Sequence, residues 1–354
     1  MSVEIWPPIS PAELKVQEDA TQARELTWLL SSLRATLAQI KGGLEDCCAL
    51  LNPADSAGST LALTTPRNET VKGHTTRVGV RLVRGLVHLR LRTLPPQTLS
   101  LDPSRPVRVP ALIRLDDLLS RSLELCHTLE DHQSQKVPPP SAPYLASQLR
   151  LLALQIAEAA AIVKGPPHPP ARPSTSASTA SHESSRQQHQ PEHKAPLDTA
   201  WTTNSVSLGH FTPPLSRNLS LYVTIQDACL VIYLRALEPA DAPVNFGTKL
   251  ALAIGTTRRL EHDEADRVFS YRCDDESQID GTSSTSEHHS GRGGNNEGSN
   301  SNKKEVEVYV REKVRVESAD PSLLSLSVKL SALGNTLGLA RRNLAAVMGE
   351  DLED

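Results

Sequence analysis

Apolar residues at Leu26, Leu30, Leu33, Leu37, Ile40, Leu44, Cys47 and Leu51 follow one another at alternating steps of four and three. Steps that average 3.5 residues hold one apolar seam on one side of a helix. The seam returns near the far end of the chain in Leu326, Leu330, Leu333, Leu337, Ala340, Leu344 and Val347. A third copy lies between them, in Leu145, Leu149, Leu152, Ile156, Ala159 and Val163. Three such stripes cannot all face water, so the pattern predicts a helical bundle closed by both chain ends. Ser10-Pro11-Ala12-Glu13 predicts the first helix start, with a capping hydroxyl, a proline at the first helical position and a glutamate for a capping box. Gly42-Gly43 is where that helix would bend, and Asn52-Pro53 ends it. A further helix is expected from Pro110, with Leu115, Leu118, Ser122, Leu125 and Leu129 on one side, up to the Pro138-Pro139-Pro140 break. Ser141 offers a cap to the third seam, and Asp320-Pro321 caps and opens the last helix.

Between the helices the period drops to two. A polar spacer to about Glu69 leads into Val78, Val80 and Leu82, which alternate with Arg77, Gly79 and Arg81. After Arg84-Gly85, Val87, Leu89 and Leu91 alternate with His88, Arg90 and Arg92. The pattern predicts a hairpin that turns at Arg84-Gly85, with one apolar and one basic face. Leu219, Leu221, Val223 and Ile225 begin a second strand set. A tight connection at Gln226-Asp227-Ala228 leads into CLVIYLRAL at 229–237, a near-continuous apolar run suited to a central strand. Strands are also expected at 244–254 and 267–273, and in the evenly spaced Val306, Val308, Val310, Val314 and Val316. Two stretches, 165–200 and 275–302, contain almost no large apolar residue. They cannot offset the ~1–2 kcal/mol per residue that ordering a backbone costs, so both are expected to be disordered.

The fold class expected is α+β. A discontinuous helical bundle takes 10–51, 110–164 and 320–349, and a discontinuous antiparallel β domain takes 69–105, 205–274 and 303–318. Residues 165–204 are a disordered linker and 275–302 a disordered loop insert. The seams could pair between chains instead, but joining separate chains costs an estimated ~4–15 kcal/mol of translational and rotational freedom that one chain avoids. A homodimer can still form on top of the bundle. Gly334 and Gly338, four apart in the last helix, either allow a close crossing or are tolerated at a cost in helix propensity.

Composition changes this picture little. Apolar residues make up 38% of the 354 and aromatics 3%, a low share that fits partial disorder. A net charge of −4 points to neither nucleic acid nor a membrane surface. Five cysteines without a CxxC pair suggest a reducing compartment. The start lacks a basic and an apolar signal region. The best membrane candidate, LLALQIAEAAAIV at 151–163, is too short to span a bilayer and contains Glu158. The expectation is a cytoplasmic protein without membrane insertion. Asn68-Glu69-Thr70 and Asn218-Leu219-Ser220 fit the glycosylation triplet but mean little without secretion.

No catalytic, metal or cofactor-binding residues emerge. The Gly-rich 291–298 lacks a following GK[ST], so it is not a phosphate loop. His127 and His132 are five apart, which splits them across a helix, and Cys47-Cys48 are adjacent, so neither pair suits zinc. Cys47 lies on the seam and reads as a small core residue. No GxSxG is present. Asp116-Asp117 and Asp274-Asp275 diverge as sequence neighbours. An enzyme is not expected.

One charge pattern stands out. From Arg67 to Arg114 there are ten Lys or Arg, opposed only by Glu69 and Asp102. On the predicted hairpin Arg77, Arg81, Arg90 and Arg92 share a face and set up a local positive field. A solvated strand face, common on antiparallel sheets, is the simpler explanation. The functional reading is a docking surface for an acidic partner. No aromatics interleave with the arginines, so nucleic acid is not expected.

ELTWLL at 25–30, VKG at 71–73, LYVTIQDACLVIYLRAL at 221–237, Asn245-Phe246 after a Pro-containing loop, and the valine strand before a leucine-rich final helix occur in an order that resembles the Rogdi family. Fungal members of that family are the second subunit of the RAVE complex. The resemblance spans nearly all of the chain outside the two inserts. It implies a non-catalytic protein with a helical bundle and a β domain. It also implies a role in assembling the peripheral and membrane sectors of the vacuolar proton-pumping ATPase, in support of vacuolar or endosomal acidification. The implied partners are a large β-propeller scaffold subunit, a small adaptor shared with ubiquitin ligases, and the peripheral ATPase sector, with peripheral recruitment to vacuolar or endosomal membranes. A coiled-coil scaffold or tether unrelated to the pump is the alternative.

Overall fold

The structure is a computed structural model that describes residues 9–53, 58–134, 141–166, 198–241, 262–265, 267–272 and 305–349. The inserts at 167–197 and 275–302, the strand expected at 244–254 and Asn245-Phe246 lie outside the described residues.

Four long helices carry the seams: α1 (Pro11–Leu51), α2 (Pro110–Ser134), α3 (Ala142–Lys164) and, after a short α4 (Trp201–Asn204), α5 (Pro321–Met348). The Ser10 hydroxyl accepts the Glu13 backbone N–H at 3.2 Å, as the capping pattern predicts. Asp320 does the same for α5, accepting the Ser322 N–H at 3.0 Å. Ser141 precedes α3 without a side-chain cap bond.

Side-chain pairs set the directions. Lys41–Glu130 and Asn52–Asp116 run α2 antiparallel to α1, and Ser122–Gln155 and Arg114–Glu158 run α3 antiparallel to α2. Gln22–Val347 and Lys329–Asp46 run α5 antiparallel to α1. With α5 also packed on α3, this is an up-down-up-down four-helix bundle.

The α3 seam is buried at all six predicted positions. In α5, Leu326, Leu330, Leu333, Leu337 and Leu344 are buried, with Leu323 added. In α1, Leu33, Leu37, Ile40, Leu44, Cys47 and Leu51 are buried, but Leu26 and Leu30 are only partly so, and Leu29 takes the inward place near the bundle's end. Residues 11–25 are exposed. The reason is length: α1 runs about 61 Å and α5 about 42 Å, so the start of α1 outreaches its partner. Burial raises the thiol pKa of Cys47 and of Cys126 to about 11, which suits core residues rather than nucleophiles.

Helix α1 is continuous through Gly42-Gly43. The close helix crossing is at Gly43, not at the α5 glycines: a Cβ there would lie 2.5 Å from Leu333 Cδ2, whereas one on Gly42 or Gly338 would meet nothing within 4 Å. Gly42→Ala is therefore expected to stabilise the protein by about 1 kcal/mol through helix propensity. Gly43→Ala should gain less, because Leu333 must shift, and chemical denaturation of the two variants checks the order.

Two antiparallel sheets fill the rest. The first comprises β1 (Ser59–Thr64), β2 (Val71–Val78), β3 (Arg81–Leu89), β4 (Gln97–Leu101), β5 (Val107–Arg108) and β6 (Phe211–Thr212), in the order β1-β2-β3-β4-β6 with β5 pairing β3. The second comprises β7 (Leu219–Gln226), β8 (Cys229–Pro239), β9 (Val268–Arg272) and β10 (Glu305–Ala319), in the order β7-β8-β10-β9. Strand β1 lies in the stretch read as a polar spacer. The β7–β8 turn is Asp227-Ala228, both at positive φ, as two-residue hairpins require. Its N–H groups cap α3, donating to Lys164 O at 2.7 Å and Val163 O at 2.9 Å.

Leu63, Leu82, Val87 and Phe211 of the first sheet face Leu221, Val223 and Ile232 of the second. One buried core runs from the helix seams through both inner faces. A smaller cluster joins Trp201, Leu237, Phe269, Tyr271, Val308 and Val310. Trp201 corrects the linker boundary: residues 198–204 are ordered, because this large aromatic buries itself against the second sheet. By length and composition α3 and α5 could each cross a membrane, since the full α3 helix is longer than its apolar run at 151–163. Their seams close on the bundle instead.

Candidate functional site

The predicted basic face is real but differently built. Gly79, at φ 58°, and Val80 form the turn between β2 and β3, while Arg84-Gly85 lies inside β3. The parity switch read as a turn is a β-bulge: Arg77 pairs with Leu82 and Thr76 with Arg84, which leaves Val83 unpaired. Further along, Gly73 stands across from Val87, where only glycine fits because a Cβ would sit 2.0 Å from the Leu86 carbonyl oxygen.

The bulge decides which arginines meet. Before it, Arg81 points out and Leu82 in; after it, Arg84 and His88 point out and Val87 and Leu89 in. The exposed residues along β3 and just beyond it are thus Arg81, Arg84, His88, Arg90 and Arg92. Lys72 stands directly across from His88, and Arg108 directly across from Arg81. Among the described residues none of the side chains of Lys72, Arg81, Arg84, Arg90, Arg92 and Arg108 pairs with an acidic side chain. At one end, Lys72, His88, Arg90, Thr70, Gln97 and Glu69 line an open groove of about 560 Å³. Glu312 of β10 accepts the Arg92 N–H at 2.8 Å and the Thr93 N–H at 3.1 Å, fixing the chain where the ridge ends.

Arg77 is not part of this face. Its parity matches the buried Val71 and Thr75, and it is 2% exposed. Its Nε donates to Asp320 Oδ2 at 2.5 Å, and its Nη1 donates to Gly79 O at 2.7 Å and Leu51 O at 3.2 Å. One guanidinium thus joins the end of α1, the hairpin turn and the cap of α5. Arg84, Lys72, His88 and Arg108 complete the face. A turn at Arg84 conceals the first, His88 continues the outward parity of Arg84 along β3, and cross-strand register brings in Lys72 and Arg108.

A second buried ion cluster holds residues 262–265 to the other sheet. Arg235 donates to Glu264 at 2.8 and 2.9 Å, and Lys313 reaches Glu264 at 2.7 Å. The Arg235 guanidinium also lies 4.6 Å from the Trp201 ring centroid. Burial pushes the Glu264 carboxyl up, but bonds and charge from Arg235 and Lys313 outweigh it and hold it below the usual range. A carboxyl lowered on folding stabilises the protein above its unfolded value of about 4.5 and loses that contribution as pH falls. Acid titration of stability should therefore fall more steeply below about pH 4.5 in the parent protein than in Glu264→Gln.

The described residues contain no cluster of metal-ligating side chains. The His132 side chain, His288-His289, Asp274-Asp275 and the Gly-rich 291–298 lie outside the described residues.

A leucine-seam bundle at both chain ends, closed on two antiparallel sheets, frames the comparison with known families. Residues 25–345 match the family described as Rogdi leucine zipper containing protein. The chain belongs to the Rogdi family. The match runs from the start of the α1 seam to the last turns of α5, so it takes in the bundle and both sheets. No curated protein matches the chain. In this Rogdi protein the zipper-like heptads meet within one chain, as the four packed helices show.

Proposed function

We propose that this Rogdi-family protein is a non-catalytic subunit of a RAVE-type complex, which promotes assembly of the peripheral and membrane sectors of the vacuolar proton-pumping ATPase. Family membership across residues 25–345 carries the reading. The exposed, unneutralised basic ridge supports it, because an assembly factor acts by presenting surfaces to partners. The partners proposed are a large β-propeller scaffold subunit, a small adaptor shared with ubiquitin ligases, and the peripheral ATPase sector. The protein acts from the cytoplasm, recruited to vacuolar or endosomal membranes without inserting into them and without binding nucleic acid.

Deletion of the gene tests this. The reading expects vacuolar or endosomal pH to rise and growth to fail at neutral pH with high calcium. Unchanged organelle pH and normal growth under those conditions would overturn it in favour of a tether unrelated to the pump.

A further inference from the structure

The six strands of the first sheet, STLALT, VKGHTTRV, RLVRGLVHL, QTLSL, VR and FT, contain no aspartate or glutamate. Its outer face offers cations and hydroxyls: Thr64, Lys72, His88 and Thr98 stand side by side across four strands. Several exposed or half-buried cations elsewhere have acidic partners, as in Lys41–Glu130, Arg114–Glu158 and Lys329–Asp46. On this sheet the exposed cations stand beside one another instead. Lys72 faces the His88 imidazole and Arg81 faces Arg108 as direct cross-strand neighbours. The Arg81–Arg108 pair sets like charges directly side by side, which is unfavourable, and an anion laid between the two guanidinium groups relieves the repulsion. The bulge at Val83 matters here, since an unbroken strand would put Arg81 and Arg84 on opposite faces.

We infer that this ridge is the docking surface for an acidic segment of a partner protein, laid in extended form along β3. The cations run the length of β3, about 26 Å, rather than converging on one point, which suits a row of carboxylates better than a single phosphate. An extended peptide presents alternate side chains to one surface and so matches cations spaced along a strand. Base stacking has no platform, because the only aromatic in these strands, Phe211, is buried. A lipid surface is disfavoured because no large apolar side chain of this sheet is exposed to insert. The inference stands on the sheet alone, so it survives or fails independently of the proton-pump reading.

Fluorescence anisotropy with the full chain tests it. The probe is a fluorescein-labelled peptide of alternating glutamate and serine, and the control peptide has glutamine for glutamate. Saturable binding of the glutamate peptide alone is expected, weakening as salt rises. Arg84→Glu combined with Arg90→Glu should weaken it at least about tenfold. Arg84→Gln with Arg90→Gln should weaken it less, and Arg342→Glu on the bundle should leave it unchanged. Circular dichroism confirms folding of each variant. Absence of saturable binding would overturn the inference, as would equal affinity in the ridge variants. Tighter binding to a thymidine oligonucleotide or to phosphatidylserine vesicles would overturn it in favour of those ligands.

Discussion

Asp320→Ala is expected to destabilise the protein by about 3–5 kcal/mol, the range for breaking one side of a buried ion pair. Arg77 and Asp320 have side chains exposed by 1% and 0%, so solvent cannot replace the lost partner. The Arg77 guanidinium would stay buried with two carbonyl acceptors, Leu51 O and Gly79 O, and an uncompensated charge. The α5 cap is lost as well, because the same carboxylate accepts the Ser322 N–H. Removing both charges should cost less. Arg77→Met with Asp320→Ser keeps a capping hydroxyl and leaves no buried ion. Urea denaturation of the three proteins measures the difference. Equal losses in the single and double variants would show that the charge pair is not what ties α1, the first sheet and α5 together.

Leu333→Asp is expected to be at least as damaging, with a loss of about 4 kcal/mol or more. Leu333 is 8% exposed and its side chain packs directly against Gly43 of α1. Truncating a buried leucine alone costs about 2–5 kcal/mol, and an aspartate there adds a charge with no partner. The bundle and both sheets share one buried core, so the loss should appear as unfolding of the whole chain rather than of α5 alone. Coincident far-ultraviolet and tryptophan transitions would show this, measured with Trp6 and Trp28 replaced by phenylalanine so that Trp201 alone reports from beside the second sheet. An unchanged melting temperature would refute the seam.

The bundle was readable because its information is local and periodic. Every α3 seam residue is inward, since a heptad pattern needs only its own helix to define a face. The α1 seam fails at Leu26 and Leu30, which still lie beside α5, since Gln22 bonds Val347, but have run past the end of α2, since Lys41 already meets Glu130 four residues before that helix ends. The β hairpin was half readable. Alternation located the strands, but a one-residue phase change is produced equally by a turn and by a bulge. Only the pairing of Arg77 with Leu82 and Thr76 with Arg84 distinguishes them. By sequence Arg77 belongs outward, because a charged residue is normally exposed. What allows its burial is Asp320, 243 residues away, and no local pattern announces such a partner. The ridge follows the same logic: Arg81, Arg90 and Arg92 were legible as charges, whereas Lys72 and Arg108 join them only through register.

Mild-salt affinity purification of the tagged full chain from its own cells, with mass spectrometry of what co-elutes, tests the functional account most directly. The account predicts a large β-propeller protein together with peripheral-sector subunits of the proton-pumping ATPase. Self-association or nucleic acid in their place, with neither of those partners recovered, would contradict it.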